Sequence, residues 1–313
     1  MHRALKVTIQ KNVSVWLAST CILGAYFFMF GGYFSPDARA VGDDYQQQLP
    51  NLLAGYYSFK TNGLFHVPWY SPAQCGGIPF YADPGHGLYS VPTLLTAFVN
   101  PLHAVKLTFF LFALAGYVGF YFLLRRFDLS PPLALAGAAL FLFNGFYTPR
   151  MIVGHPFHAF MLLPFIPLLV LSRMRALPAT LLGGLAIAYM FHSAMIHVLA
   201  PVLAASLVFI FVFGLKNRLT MHTWLRFFGA CGVGALLSLS KFVASFSFTS
   251  NFPRDFYGIP GFRNFFDVFE IASRALFFRA PAEEANRLLA GGSFAFGQHE
   301  FEFGITPIPL LLI

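Results

Sequence analysis

Residues 13–34 read VSVWLASTCILGAYFFMFGGYF. The run carries no charge, and at about 1.5 Å per residue it is long enough to cross roughly 30 Å of hydrocarbon. The composition around it agrees. Hydrophobic residues make up 57% of the chain, charged residues 10%, and the mean hydropathy is +0.66. A soluble globular chain carries about 25% charged residues, so this sequence lacks the polar surface that a water-soluble fold needs. It reads as an all-α, polytopic bundle of transmembrane helices.

Further apolar runs lie at 107–124, 132–147, 157–171, 177–191, 195–215, 227–248 and 303–313. Together with the first they predict seven spans and the start of an eighth, in one transmembrane domain covering 1–313. The third, fourth and fifth fall below the usual minimum of about 17 residues. The last run reaches the end of the sequence without a basic stop, which points to a longer natural protein. Arg3, Lys6 and Lys11, with Ala38-Arg39-Ala40 downstream, resemble a cleavable signal. The apolar run exceeds the usual signal core of about 7–15 residues, so a retained first helix is expected.

The net charge of +8 falls in small clusters, with no lysine block of the kind that binds nucleic acid. Arg3, Lys6 and Lys11, then Arg125 and Arg126, Arg173 and Arg175, and Lys216, Arg218 and Arg226 occupy alternate loops. They mark one side as cytoplasmic, the N-terminal side included. Of the 12 acidic residues only Asp128 lies there. Two long segments, 35–106 and 249–302, then face outward and hold the other carboxylates. Within them, 49–59 and 265–278 have the pattern of amphipathic helices. These either lie along the membrane surface or pack on each other in a small subdomain. Pro50 suits the first turn of the former.

The outward segments hold the residues that can carry chemistry. Asp43 and Asp44 follow the first span by a few residues. Such a pair can act as a general base, ligate a divalent cation, or cap the next helix. Gln47 beside them can bond sugar hydroxyls. Residues 68–89 are dense in proline, glycine and aromatics, which makes an ordered loop. There Trp69 and Tyr70 either stack on a sugar or sit in the interfacial aromatic belt, and Asp83 and His86 add polar groups. His155 and His158 share a face if the segment is helical. No CxxC or CxxH pair points to zinc. Lys60, Arg150, Lys241 and Arg254 are the outward cations able to meet a lipid phosphate. Lys241, set among apolar residues, either faces a cavity or snorkels to the headgroups.

The order of these features is specific. A basic-flanked span precedes the pair Asp43-Asp44. A Trp69-containing segment then runs into Gly76-Gly77-Ile78-Pro79-Phe80. Gly154-His155 opens the fourth span, and Glu300-Phe301-Glu302-Phe303-Gly304 leads into the eighth. This resembles the bacterial YfhO-type membrane proteins of the C-type (GT-C) glycosyltransferase superfamily. The resemblance implies a membrane glycosyltransferase of the bacterial cytoplasmic membrane. Its donor would be a polyprenyl-phosphate sugar and its acceptor a cell-envelope glycan or polymer. Asp44 or Asp43 would be the catalytic base, and no metal cofactor would be needed. Gln47, Trp69, Tyr70, Asp83, His86, His155 and Glu300 are then the candidate substrate contacts. Tyr70 stands where the family commonly has asparagine. A transporter or lipid flippase, with breaks at Gly145, Pro164 and Pro201, is the alternative. A non-catalytic scaffold of the same fold is another.

Overall fold

The computed structural model describes residues 2–35, 42, 44–72, 76–217, 219–251, 261–277, 282–287 and 289–290. Asp43, Arg254, Glu300 and the expected eighth span lie outside the described residues.

Helix α1 (His2–Met29) carries the first apolar run and ends in the short α2 (Gly31–Phe34). There follow α3 (Tyr45–Asn62), a two-stranded antiparallel hairpin of β1 (Tyr70–Ser71) and β2 (Ile78–Pro79), and α4 (Val91–Leu95). Helix α5 (Pro101–Arg126) begins on an Asn100 cap, whose side chain accepts from His103 N at 2.9 Å, with proline in its first turn. Helices α6 (Pro131–Leu142), α7 (Tyr147–Val153), α8 (Phe165–Val170), α9 (Ala176–His192), α10 (Ile196–Lys216) and α11 (Met221–Asn251) complete the bundle. After it come the strand β3 (Gly261–Phe262), α12 (Phe265–Phe277), α13 (Ala282–Arg287) and β4 (Leu289–Ala290), with β3 and β4 antiparallel.

Among the described residues α5, α10 and α11 are long and apolar enough to cross a membrane, and Val13–Met29, Phe157–Val170 and Ala176–His192 are shorter apolar stretches. Leu215 and Leu236 are each 72% exposed. Many such large apolar side chains outside the bundle require a lipid neighbour rather than water.

The third expected span, 132–147, is corrected. Helix α6 has 12 residues, about 18 Å of helix, too short to cross. Asn144 ends it, because its side-chain oxygen takes the Tyr147 N–H at 2.7 Å and opens α7 instead. The fourth expected span is likewise broken. Phe157–Leu162 form a 3-10 turn and α8 starts after Pro164, so His155 and His158 do not share an α-helical face. Such irregular backbone survives at membrane depth only inside protein, and Ala159, Met161 and Ile166 are fully buried. Helix α3 also begins earlier than the sequence suggests, which places Pro50 inside it rather than in its first turn.

Two apolar cores hold the bundle. One joins Tyr26, Phe109, Leu142, Tyr147 and Met151 across α1, α5, α6 and α7. The other joins Ile166, Ile187, Met190, Val202 and Phe227 across α8 to α11. Helices α9 and α11 approach closely. A Cβ at Gly234 would come within 2.6 Å of Ile187 Cγ2, so small residues bring the two helices together.

The two ends of the bundle differ. At one, Arg126 Nε donates to Leu171 O at 2.7 Å, Arg226 donates to Ser172 O and Met174 O at 2.7 Å, and Lys216 lies 3.8 Å from Asp128. The basic loops on this side therefore meet. At the other end Lys106 Nζ, near the start of α5, donates to Ser35 O at 2.6 Å, just after α2. The segment holding α3 and the β1–β2 hairpin lies at this end.

Candidate functional site

The site is built where the start of α3 docks on the end of α7. Gly42 N donates to Ile152 O at 2.8 Å. Tyr45, 2% exposed, sends its hydroxyl to Met151 O at 2.9 Å and meets the Tyr33 hydroxyl at 2.6 Å. Burial raises the Tyr45 pKa above its ordinary value despite the Tyr33 hydrogen bond, so this ring is a neutral anchor. Gly154 makes the docking possible. Its φ is +107°, and a Cβ there would lie 2.6 Å from the Tyr45 ring.

This docking fixes Asp44 and His155. His155 Nε2 lies 2.7 Å from Asp44 Oδ2. An ionised carboxylate only accepts, so the proton of the contact belongs to the imidazole. Asp44 occupies the N-cap position of α3 but makes no side-chain cap bond. Of the roles open to it in the sequence, the capping one is thus not taken. Its side chain is 50% exposed, which leaves the carboxylate accessible to a ligand.

Asp44 and His155 line a cavity of about 550 Å³. Gln47, Gln48 and Asn51 of α3 form one wall, Asp83 and His86 another, and His158 and His197 close it from the bundle side. His158 Nε2 is 2.8 Å from the Tyr189 hydroxyl. Two polar atoms at this cavity, Gln48 Oε1 and His86 Nε2, are enclosed and have no hydrogen-bond partner among the described residues. Such atoms carry a desolvation cost unless something meets them.

A second carboxylate–imidazole pair stands opposite the first. Asp83 Oδ2 is 2.9 Å from His86 Nδ1, an ionic contact without the alignment of a hydrogen bond, and Gly85 N donates to Asp83 Oδ1 at 2.7 Å. Lys241 is 1% exposed, and its Nζ donates to the carbonyl of His86. Burial pushes the Asp83 pKa up, but the His86 imidazole, the Gly85 N–H and the Lys241 charge outweigh it and hold the carboxyl below its ordinary value.

The sequence-predicted residues therefore divide. Asp44, Gln47, Asp83, His86 and His155 converge on one cavity. Trp69 and Tyr70 line a second cavity, and Phe80 borders both. Of the expected phosphate ligands, Lys60 is exposed on the last turn of α3 and lines neither cavity. Arg150 is 3% exposed and lies 4.2 Å from the Phe146 ring centroid. Lys241 is buried with its ammonium on the His86 carbonyl rather than extended to the surface, so it does not snorkel. The described residues contain no group of three His, Cys, Asp or Glu able to hold a metal ion. Sequence reasoning missed the Tyr33–Tyr45 anchor and the pairing of Asp44 with His155. The Gly154-His155 dipeptide was the available signal for the latter.

Comparison with protein-family models, curated proteins and solved structures finds no match for this chain.

Proposed function

We propose that the protein is a membrane glycosyltransferase. It moves a sugar from a polyprenyl-phosphate donor to a cell-envelope acceptor on the extracytoplasmic face of the bacterial cytoplasmic membrane, with its N-terminus inside. The observation that carries this reading is the half-exposed Asp44 carboxylate, paired with His155 at 2.7 Å beside a cavity of about 550 Å³. The cavity sits at the bundle end opposite the basic loops, where the positive-inside rule puts the outer face.

The chemistry is a displacement at the anomeric carbon. Asp44 takes the proton of an acceptor hydroxyl as its oxygen attacks. The bond from the anomeric carbon to the phosphate oxygen breaks, and the polyprenyl phosphate leaves with the electron pair. His155 orients the carboxylate. His197, which lines the same cavity, is a group able to meet the phosphate.

A transporter is the second reading, and the broken stretch from α6 to α8 favours it. The position of Asp44 and Asp83 speaks against it, since both line the cavity at one end of the bundle rather than at its middle. Membranes holding the protein, given a labelled polyprenyl-phosphate sugar, separate the two readings. Label reaching envelope polymer supports transfer. Labelled lipid that only changes leaflet supports transport.

A further inference from the structure

Trp69 and Tyr70 are absent from the cavity of Asp44 and instead border a second one of about 560 Å³. Both cavities lie along one face of α3. Gln47, Gln48 and Asn51 line the first, while Ser58 and Asn62 line the second, at the three- and four-residue spacing that keeps side chains on a common stripe. Phe80, 2% exposed, is the wall between them. The two cavities are thus neighbours that share Phe80.

The second cavity has a distinct chemistry. Tyr57, Trp69 and Tyr70 present aromatic surface and are 58%, 61% and 57% exposed. The platform is held in place. Trp69 packs edge-on against Tyr81 at 5.4 Å, and the Tyr70 hydroxyl donates to Gly76 O across the hairpin. Ser58, Asn62 and His66 supply hydrogen-bonding groups, and among the described residues no Asp, Glu, Lys or Arg lines the cavity. Ser58 Oγ is enclosed without a hydrogen-bond partner among the described residues. Aromatic planes beside hydroxyl, amide and imidazole groups match a sugar ring, which offers apolar C–H faces and a rim of hydroxyls.

We infer that this second cavity is an acceptor subsite that holds a neutral sugar unit of an extended glycan on Trp69 and Tyr70. The reacting end of the same glycan then lies beside Asp44. The inference rests on the glycosyltransferase reading for the word acceptor, but its binding step can be measured without transfer.

The chain has three tryptophans, Trp16, Trp69 and Trp224. With Trp16→Phe and Trp224→Phe, the emission of Trp69 reports on the platform alone in lipid nanodiscs. Maltohexaose, cellohexaose and chitohexaose serve as neutral probes. At least one is expected to shift Trp69 emission saturably. Tyr70→Ala should weaken that binding by roughly tenfold, the loss typical of truncating an aromatic anchor. In transfer assays Trp69→Ala should raise the KM for acceptor while the KM for donor stays constant. Absence of a shift with all three probes overturns the subsite. So does quenching of Trp69 by brominated acyl chains as strong as that of Trp16 in a protein retaining only Trp16, because the platform would then be a lipid contact. Binding without transfer overturns the glycosyltransferase reading and leaves the sugar site standing. Transfer with an unmoved acceptor KM does the reverse.

Discussion

Asp44 Oδ2 and His155 Nε2 meet at 2.7 Å across the junction of α3 and α7, two elements far apart in sequence. The pair exists because the turn before α3 is bonded to the last turn of α7 through Gly42 and Tyr45. If His155 orients the base, His155→Ala should lower turnover by at least about tenfold with membrane levels unchanged. His155→Gln, which keeps a donor, should recover part of it. Equal turnover for wild type and His155→Ala would remove His155 from the mechanism.

The junction itself should be fragile. Gly154→Ala places a methyl group 2.6 Å from the Tyr45 ring at a φ of +107°, and positive φ alone costs a non-glycine residue about 1–3 kcal/mol. Tyr45→Phe strips the bonds to Met151 O and Tyr33, worth about 1 kcal/mol each. Thermal melts in detergent should show both variants less stable than wild type, with Gly154→Ala the worse. A Gly154→Ala protein that melts like wild type would show that the chain does not close on Tyr45.

Lys241 separates a structural role from a lipid-phosphate one. Its ammonium is buried against the His86 carbonyl and faces the Asp83 charge. Removing the ammonium leaves the enclosed His86 carbonyl without this donor, at a cost of about 1–3 kcal/mol. Lys241→Met should therefore lower the melting temperature sharply, and Asp83→Asn in the same protein should restore part of it. A lysine serving only donor phosphate would instead give a normal melt and a higher KM for donor.

Acid should act through Asp83. Its carboxyl titrates lower in the folded protein than its ordinary value of about 3.9. The unfolded chain thus binds the proton more tightly, and stability rises with pH between the two values. The contribution is complete above about pH 4 and disappears as pH falls through the folded value. Acid-unfolding curves should accordingly be shallower below about pH 4 for Asp83→Asn than for wild type. Identical slopes would show that Asp83 is not held as an anion.

Much of the bundle was legible in the sequence. Helices α5, α10 and α11 follow their apolar runs, and Arg126 and Arg226, expected on one side, both reach the loop of Leu171, Ser172 and Met174. The stretch from 132 to 171 was not legible, because hydropathy does not register that the Asn144 side chain ends one helix and starts the next. At the site, Asp44, Asp83, His86 and His155 could be named from composition and order. Their partners could not, since those contacts come from the packing of α3 on α7 and of the outward loop on α11. Trp69 and Tyr70 line a different cavity from Asp44. Spacing along the loop gives no hint that Phe80 stands between them and Asp44.

The most direct test is sugar transfer by Asp44→Asn. Asparagine keeps the shape of aspartate and removes the negative charge that takes the proton. Asp43→Asn and the double variant complete the set, each measured in membranes at matched protein level with a labelled polyprenyl-phosphate sugar. Asp44→Asn is expected to lower transfer by at least about 100-fold, the lower end for losing a general base, while the protein still inserts and folds. A double variant that is present at normal level and transfers sugar at the wild-type rate would contradict the assignment of the reaction to this carboxylate.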